Sequence, residues 1–199
     1  LAQRLDPMKT AGAYRKGYPE GLIVHFTAGH CDTEKDMISS MNWGKSQGLN
    51  FMGIGPTGRV YQASPLDRWG SHAGTSSWPT LGSSVSRYLV GVEIACAGKV
   101  DASGKSWFGK TYGGDRLRSV PARANQQAGT YVKYTTEQEE ALIALCLWLK
   151  SNNPQAFDFD LVLGHDEVSP GRKNDPGGSL SMTMPEFRAL LKQRWVQMS

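Results

Sequence analysis

Apolar residues along this chain gather in two ways, and each predicts a different kind of element. Short runs come first. Gly21-Leu22-Ile23-Val24-His25-Phe26, introduced by Tyr18-Pro19-Glu20, reads as a buried strand over 21–26. Residues 50–54 and 59–62 flank Gly55-Pro56-Thr57-Gly58, which predicts a hairpin with turn residues where they are needed. Residues 89–97, with Val90, Val92 and Ile94, predict a further strand, and 160–164 another.

Periodic stretches predict the helices. Residues 33–43 follow Asp32 or Thr33 as N-cap. Thr136-Glu137-Gln138-Glu139 fits a capping box, and the helix it opens should run to about Ser151, before Pro154. Its centre, 142–149, is apolar on nearly all faces and should be buried. Thr183-Met184-Pro185-Glu186 fits a second box, after which Phe187, Leu190, Leu191, Arg194 and Trp195 keep helical spacing. Residues 98–130, rich in Gly, Ser, Lys and Arg, read as a long connection with little regular structure, and 164–180 as a Gly/Pro-rich loop. The expectation is an α/β fold: a single domain over 1–199, a central mixed β-sheet flanked by helices, with the basic loop 98–133 as an insertion.

Composition narrows this little. A chain of 199 residues, 39% apolar, can bury a sizeable core. The longest apolar run, 141–149, is too short to cross a bilayer, so no membrane insertion is expected. The N-terminus begins without Met and without a signal-peptide pattern, so it reads as processed or trimmed, with the export route unwritten. The net charge of +4 is uneven: residues 99–133 hold seven Lys/Arg against Asp101 and Asp115. Such a loop suits an anionic partner or a solvated surface equally. Nothing resembles a nucleic-acid motif, so no nucleic acid is expected. Cys96 and Cys146 lie in apolar runs and Cys31 follows a loop His, with no CxxC pair, so neither a zinc finger nor a disulfide framework is indicated. A monomer is expected.

The candidate chemistry lies in three polar residues. His25 ends an apolar strand, His165 follows another, and Asp175 lies ten residues later in a Gly/Pro-rich loop. Two His and one carboxylate form a common catalytic zinc set that leaves a fourth position for water. Singly, a strand-end His is more often structural.

The surrounding motifs add weight. Gly164-His165, an acidic and Pro-containing stretch, and Arg172-Lys173-Asn174-Asp175-Pro176-Gly177 resemble the signature loop of the zinc-dependent N-acetylmuramoyl-L-alanine amidases, of the peptidoglycan recognition protein superfamily. His25-Phe26-Thr27-Ala28, Val60-Tyr61-Gln62, Trp69-Gly70-Ser71-His72-Ala73-Gly74 and Val90-Gly91-Val92-Glu93-Ile94 resemble other family segments, in the family's order. Gly70-Ser71 departs from the Trp-His pair of many members.

The resemblance implies a peptidoglycan recognition protein/amidase-like fold and Zn2+ held by His25, His165 and Asp175. It implies Glu93 and Lys173 as catalytic residues and His72 as lining the substrate groove; Tyr61, as core or groove wall, and Arg172, orienting the loop or meeting a stem-peptide carboxylate, are the further candidate substrate contacts. The implied partner is peptidoglycan, glycan strand and stem peptide. The implied activity is bacteriolytic hydrolysis of the amide between muramic acid and L-alanine, at the cell wall, periplasmic or secreted. The alternative is a non-catalytic peptidoglycan-binding module of the same fold. The basic loop is expected to grip the glycan or the stem peptide.

Overall fold

A computed structural model of the chain describes residues 2–198. The strands of its two larger sheets are β1 Gln3–Arg4, β2 Gly21–Phe26, β3 Met52–Ile54, β4 Val60–Gln62, β5 Leu89–Ile94, β6 Lys99–Val100, β7 Leu117–Val120, β8 Gly129–Val132 and β9 Val162–Gly164, beside two small two-stranded ladders. Its helices are α1 Glu34–Ser46, α2 Thr136–Asn152, α3 His165–Val168 and α4 Met184–Met198. Six strands form the central sheet in the order β1-β4-β3-β5-β2-β9. Only the β3–β4 hairpin is antiparallel, so the sheet is mixed as expected.

Strand alternation divides the core. Leu22, Val24, Val90, Val92 and Ile94 join the larger core with Leu142, Cys146 and Leu149 of α2 and Phe187 and Leu191 of α4. Ile23, Leu89 and Leu163, at odd positions, join Ala73, Leu81, Val85 and Val168. The register sets Tyr61, Gly53, Glu93 and His25 in one row across β4, β3, β5 and β2. Helix α1 covers the Gly53 end of that row: a Cβ on Gly53 would lie 2.7 Å from Met37 Cε and 2.8 Å from Met41 Sδ.

The caps follow the sequence with small shifts. Thr33 caps α1, and its box partner is Asp36. Thr135, not Thr136, caps α2, paired with Gln138. The Gln138 amide prefers this register because its Nε2 also donates to the Ala95 carbonyl at 2.7 Å. Glu186 accepts from the Thr183 backbone and hydroxyl. Helix α2 is less uniformly buried than its composition suggests: Ala144 and Trp148 form an exposed stripe.

The reading of 98–130 as a connection with little regular structure is corrected. Strands β6, β8 and β7 form a three-stranded antiparallel sheet in that order. These strands are only two to four residues long, and they mix apolar Leu117, Val120, Tyr131 and Val132 with Lys99, Arg118, Ser119 and Thr130. That leaves no alternation long enough to stand out in the sequence. Among the described residues, no helix is long and apolar enough to cross a membrane.

Candidate metal centre

Parallel pairing of β9 with β2 matches Gly164 to Val24, which carries His165 to the side of His25. The one-turn helix α3 starts at His165. Its Asp166 N–H donates to the Asp175 carbonyl at 2.8 Å, folding the Asp175 segment back over the two rings. His25 Nδ1 and His165 Nδ1 lie 2.8 Å apart. Asp175 Oδ2 is 3.0 Å from the first and 2.9 Å from the second. All three side chains are buried.

The outer ring nitrogens fix the tautomers. His165 Nε2–H donates to the Ala73 carbonyl at 2.9 Å. His72 Nε2–H donates to the Leu89 carbonyl at 2.9 Å, so its Nδ1 accepts, at 3.1 Å, from His25 Nε2–H. Both inner Nδ1 atoms are therefore left as lone pairs facing a carboxylate oxygen. Three electron-rich atoms at this spacing repel one another unless a proton or a cation lies among them. Among the described residues, His25, His165 and Asp175 are the only trio of His, Cys, Asp or Glu that could hold a metal ion.

The electrostatics agree with a cation site. Burial, then the neighbouring His165, pulls the His25 pKa down to about 4. Burial, then His25, pulls His72 down to about 3, so both rings are neutral at pH 7. Burial acts to raise the Asp175 carboxyl, but hydrogen bonding and charge from His165 and His25 hold it well below the usual carboxylate range, an effect that needs a proton, or a cation in its place, between those nitrogens and the carboxylate. Neutral imidazoles and an ionised carboxylate are the protonation states that metal binding requires.

Glu93 and Lys173 complete the cluster. Glu93 is the β5 neighbour of His25, and its sheltered Oε2 has no hydrogen-bond partner. Burial and then the Asp175 charge push its carboxyl well above the ordinary value, while Lys173 pulls the other way. Lys173 is half-buried, and its charge reaches both Glu93 and His25.

The other three expected residues sit differently. His72 belongs to the cluster, but both its nitrogens are occupied, so it orients His25 and has no polar atom left for a ligand. Its ring lies on β5, where a Cβ on Gly91 would come within 2.6 Å of it. Tyr61 is completely buried under α1, and its hydroxyl donates to Glu34 Oε2 at 2.6 Å. Of the two readings of Tyr61, core or groove wall, this burial favours the core. Arg172 Nη2 donates to the Ala73 and Thr75 carbonyls, both at 2.7 Å, and to Ser169 Oγ at 2.8 Å. It braces the carbonyl that orients His165, and that side of its guanidinium is already committed.

Several residues that support the site were not visible in the sequence. Tyr134 OH donates to the His25 carbonyl at 3.1 Å. Gln127 Nε2 donates to the Lys173 carbonyl at 3.2 Å, and Gln126 Nε2 to the Gly177 carbonyl at 3.0 Å. Arg118 Nη1 reaches the Gly178 and Ser179 carbonyls at 3.2 and 3.3 Å. The Tyr131 ring is packed so closely that a Cβ on Gly177 or Gly178 would lie 2.6 or 2.7 Å from it. The β6–β8 sheet thus grips the segment that follows Asp175. No spacing or motif signals these contacts.

Comparison with known proteins follows the same lines. The family described as N-acetylmuramoyl-L-alanine amidase matches residues 15–178. No curated protein sequence matches the chain significantly. Among solved structures, a selenomethionyl AmpD derivative superposes with a TM-score of 0.60 at 19% identity, covering 95% of this chain and 93% of that one. AmiD from E. coli was solved with anhydro-N-acetylmuramic acid-L-Ala-D-γ-Glu-L-Lys. It gives a TM-score of 0.61 at 18% identity, covering 96% of this chain and 60% of its own. PGRP-SA of Apis mellifera gives 0.55 at 12% identity, covering 90% and 92%. At these identities the likeness shows the fold, a mixed sheet flanked by helices.

Proposed function

The chain belongs to the N-acetylmuramoyl-L-alanine amidase family, and from that premise we propose that it is a zinc-dependent peptidoglycan amidase that hydrolyses the amide between N-acetylmuramic acid and the L-alanine of the stem peptide. It acts on the cell wall, in the periplasm or outside the cell, as a monomer, and residues 1–199 form one amidase domain. The observation that carries the reading is the pair of inward-facing Nδ1 lone pairs around Asp175 Oδ2, next to a sheltered carboxyl with no partner.

His25, His165 and Asp175 would hold the zinc: two nitrogens and one oxygen, already in the required protonation states, match a catalytic zinc donor set. When bound, zinc polarises the amide carbonyl and makes water nucleophilic near neutral pH. The chain's own residues do the rest. Glu93 takes a proton from the attacking water and delivers it to the departing alanine nitrogen, a role suited to a carboxyl whose proton affinity is raised by burial. The Lys173 ammonium, close enough for its charge to reach Glu93 and His25, stabilises the oxyanion of the tetrahedral intermediate. His72 and the Ala73 carbonyl keep both imidazoles oriented, as outer partners do for metal-ligating His.

The test uses a soluble N-acetylmuramyl-L-alanyl peptide. Chelation should abolish cleavage, and added zinc should restore it. Glu93→Gln should keep a full equivalent of zinc yet lose about 10²- to 10⁴-fold in kcat, the range for a positioned proton-transfer group. A zinc-loaded wild type that leaves the amide intact would favour the binding-module alternative.

A further inference from the structure

Trp107 is a large side chain with no core role. It is 79% exposed, the most exposed of the large hydrophobic residues described. Yet it is not loosely held. It occupies the first central position of a tight turn closed by Gly109 N–H to the Ser106 carbonyl at 3.0 Å. Buried Ser106 anchors that turn through Oγ to the Lys110 carbonyl at 2.9 Å. The indole Nε1–H donates to the Ala28 carbonyl at 2.6 Å, and the ring edge meets Phe108 at 5.7 Å between centroids. Phe108 in turn packs on His30 and the main core.

Two consequences follow. The single polar atom of the indole is already satisfied, so what faces solvent is apolar π-surface with no hydrogen bond to offer. The ring is also fixed in advance, so a ligand stacking on it would not have to order it. Its location is informative as well. Ala28 lies three residues beyond His25, so its Cα is at most about 11 Å from that of His25. Ala28 has φ of 50°, a left-handed conformation that a non-glycine residue adopts at a cost and that often marks functional sites. Lys110 and Arg116 share the single Asp32 carboxylate, so one net positive charge remains beside the turn. The exposed indole face itself offers neither charge nor a free hydrogen-bond donor, so what it can recognise is a flat C–H face.

We propose that Trp107 is a glycan-stacking platform on the rim of the metal centre, taking a pyranose ring of a β-1,4-linked N-acetylated amino-sugar chain. A pyranose presents a flat face of electropositive C–H groups to the negative face of the indole, and its hydroxyls stay in water at the ring edge. The proposal deepens the amidase reading and rests on it for the identity of the polymer. It gives the turn between β6 and β7 a role toward sugar.

Calorimetric titration with chitotetraose and with peptide-free glycan strands tests it, because neither contains a cleavable stem amide. Trp107→Ala should weaken binding of both by about tenfold, the scale of uncovering one buried aromatic face. Trp107→Phe should fall between wild type and Trp107→Ala. Trp148→Ala, an exposed tryptophan on α2, should bind as the wild type does. Unchanged melting temperatures check that the variants fold. Equal glycan affinity in wild type and Trp107→Ala would overturn the proposal, as would a loss confined to free stem peptide. A wild type that binds glycan through Trp107 but releases no peptide would leave this inference standing and remove the amidase reading instead.

Discussion

At the residue scale, the site depends on where each imidazole keeps its proton. His25 and His165 can serve as metal ligands because carbonyls outside the site, directly at Ala73 and through His72 at Leu89, hold their protons on Nε2. His72→Ala should therefore weaken zinc affinity about 10- to 100-fold without touching a ligand, as loss of an outer-shell partner does. Competition against a colorimetric chelator measures it, and unchanged zinc affinity would show that the His25–His72 contact orients nothing. The ligand trio was legible in the sequence because it sits inside a motif with distinctive spacing, Gly164-His165 and then Asp175-Pro176. The role of His72 was not. Its motif flagged the residue, but its partners are a ring on β2 and a carbonyl at the start of β5, brought together only by the fold. The choice between core and groove wall for Tyr61 was open for a related reason: the hairpin motif marks it, but only the placement of α1 shows that it is covered.

At the element scale, the small β6–β8 sheet is the largest departure from the sequence reading. Its strands are too short to announce themselves, and their stability comes from packing, chiefly of Tyr131 and Val132 against the main body. In return, the sheet holds the Gly177–Ser179 turn through Arg118, Gln126 and the Tyr131 ring. Arg118→Ala should loosen that turn. Amide hydrogen exchange should speed up over 174–180, and zinc affinity should drop several-fold, because charge-assisted bonds to partly buried carbonyls contribute about 1–2 kcal/mol. Exchange unchanged in that segment would mean that the Asp175 segment is held without the sheet. The long elements were legible by contrast. Strands β2 and β5 and helix α2 carry continuous apolar runs, so their existence was clear, and only their ends and the α2 cap moved by a few residues.

At the scale of the whole molecule, charge proves more internal than the sequence suggested. Of the basic residues in 99–133, Lys110 and Arg116 pair with Asp32, Arg123 pairs with Glu186, and Arg118 serves backbone carbonyls. The expected attraction of this region for anions is correspondingly reduced. Elsewhere, one ion-pair cluster ties the segment before β2 to the sheet. Buried Glu20 accepts from Arg15 Nε at 2.5 Å and Nη2 at 2.8 Å, with Lys16 Nζ at 3.0 Å. Burial acts to raise its carboxyl, but these cations outweigh it, and the folded pKa lies below the ordinary 4.5. A lowered folded pKa contributes stability that is present above the unfolded value and is lost as pH falls through the folded one. Wild type should thus lose more stability than Glu20→Gln between pH 7 and pH 3 in urea unfolding. Equal losses would mean that the pair contributes nothing to acid sensitivity.

The proposed activity turns on one bond. The measurement that tests it most directly is mass spectrometry of the soluble products after purified peptidoglycan is incubated with zinc-loaded wild type and, in parallel, with Asp175→Ala. The predicted result is free stem peptides beginning with L-alanine, intact glycan strands, and release by the wild type alone. Stem peptides still attached to muramic acid, with cleavage elsewhere or none at all, would contradict it.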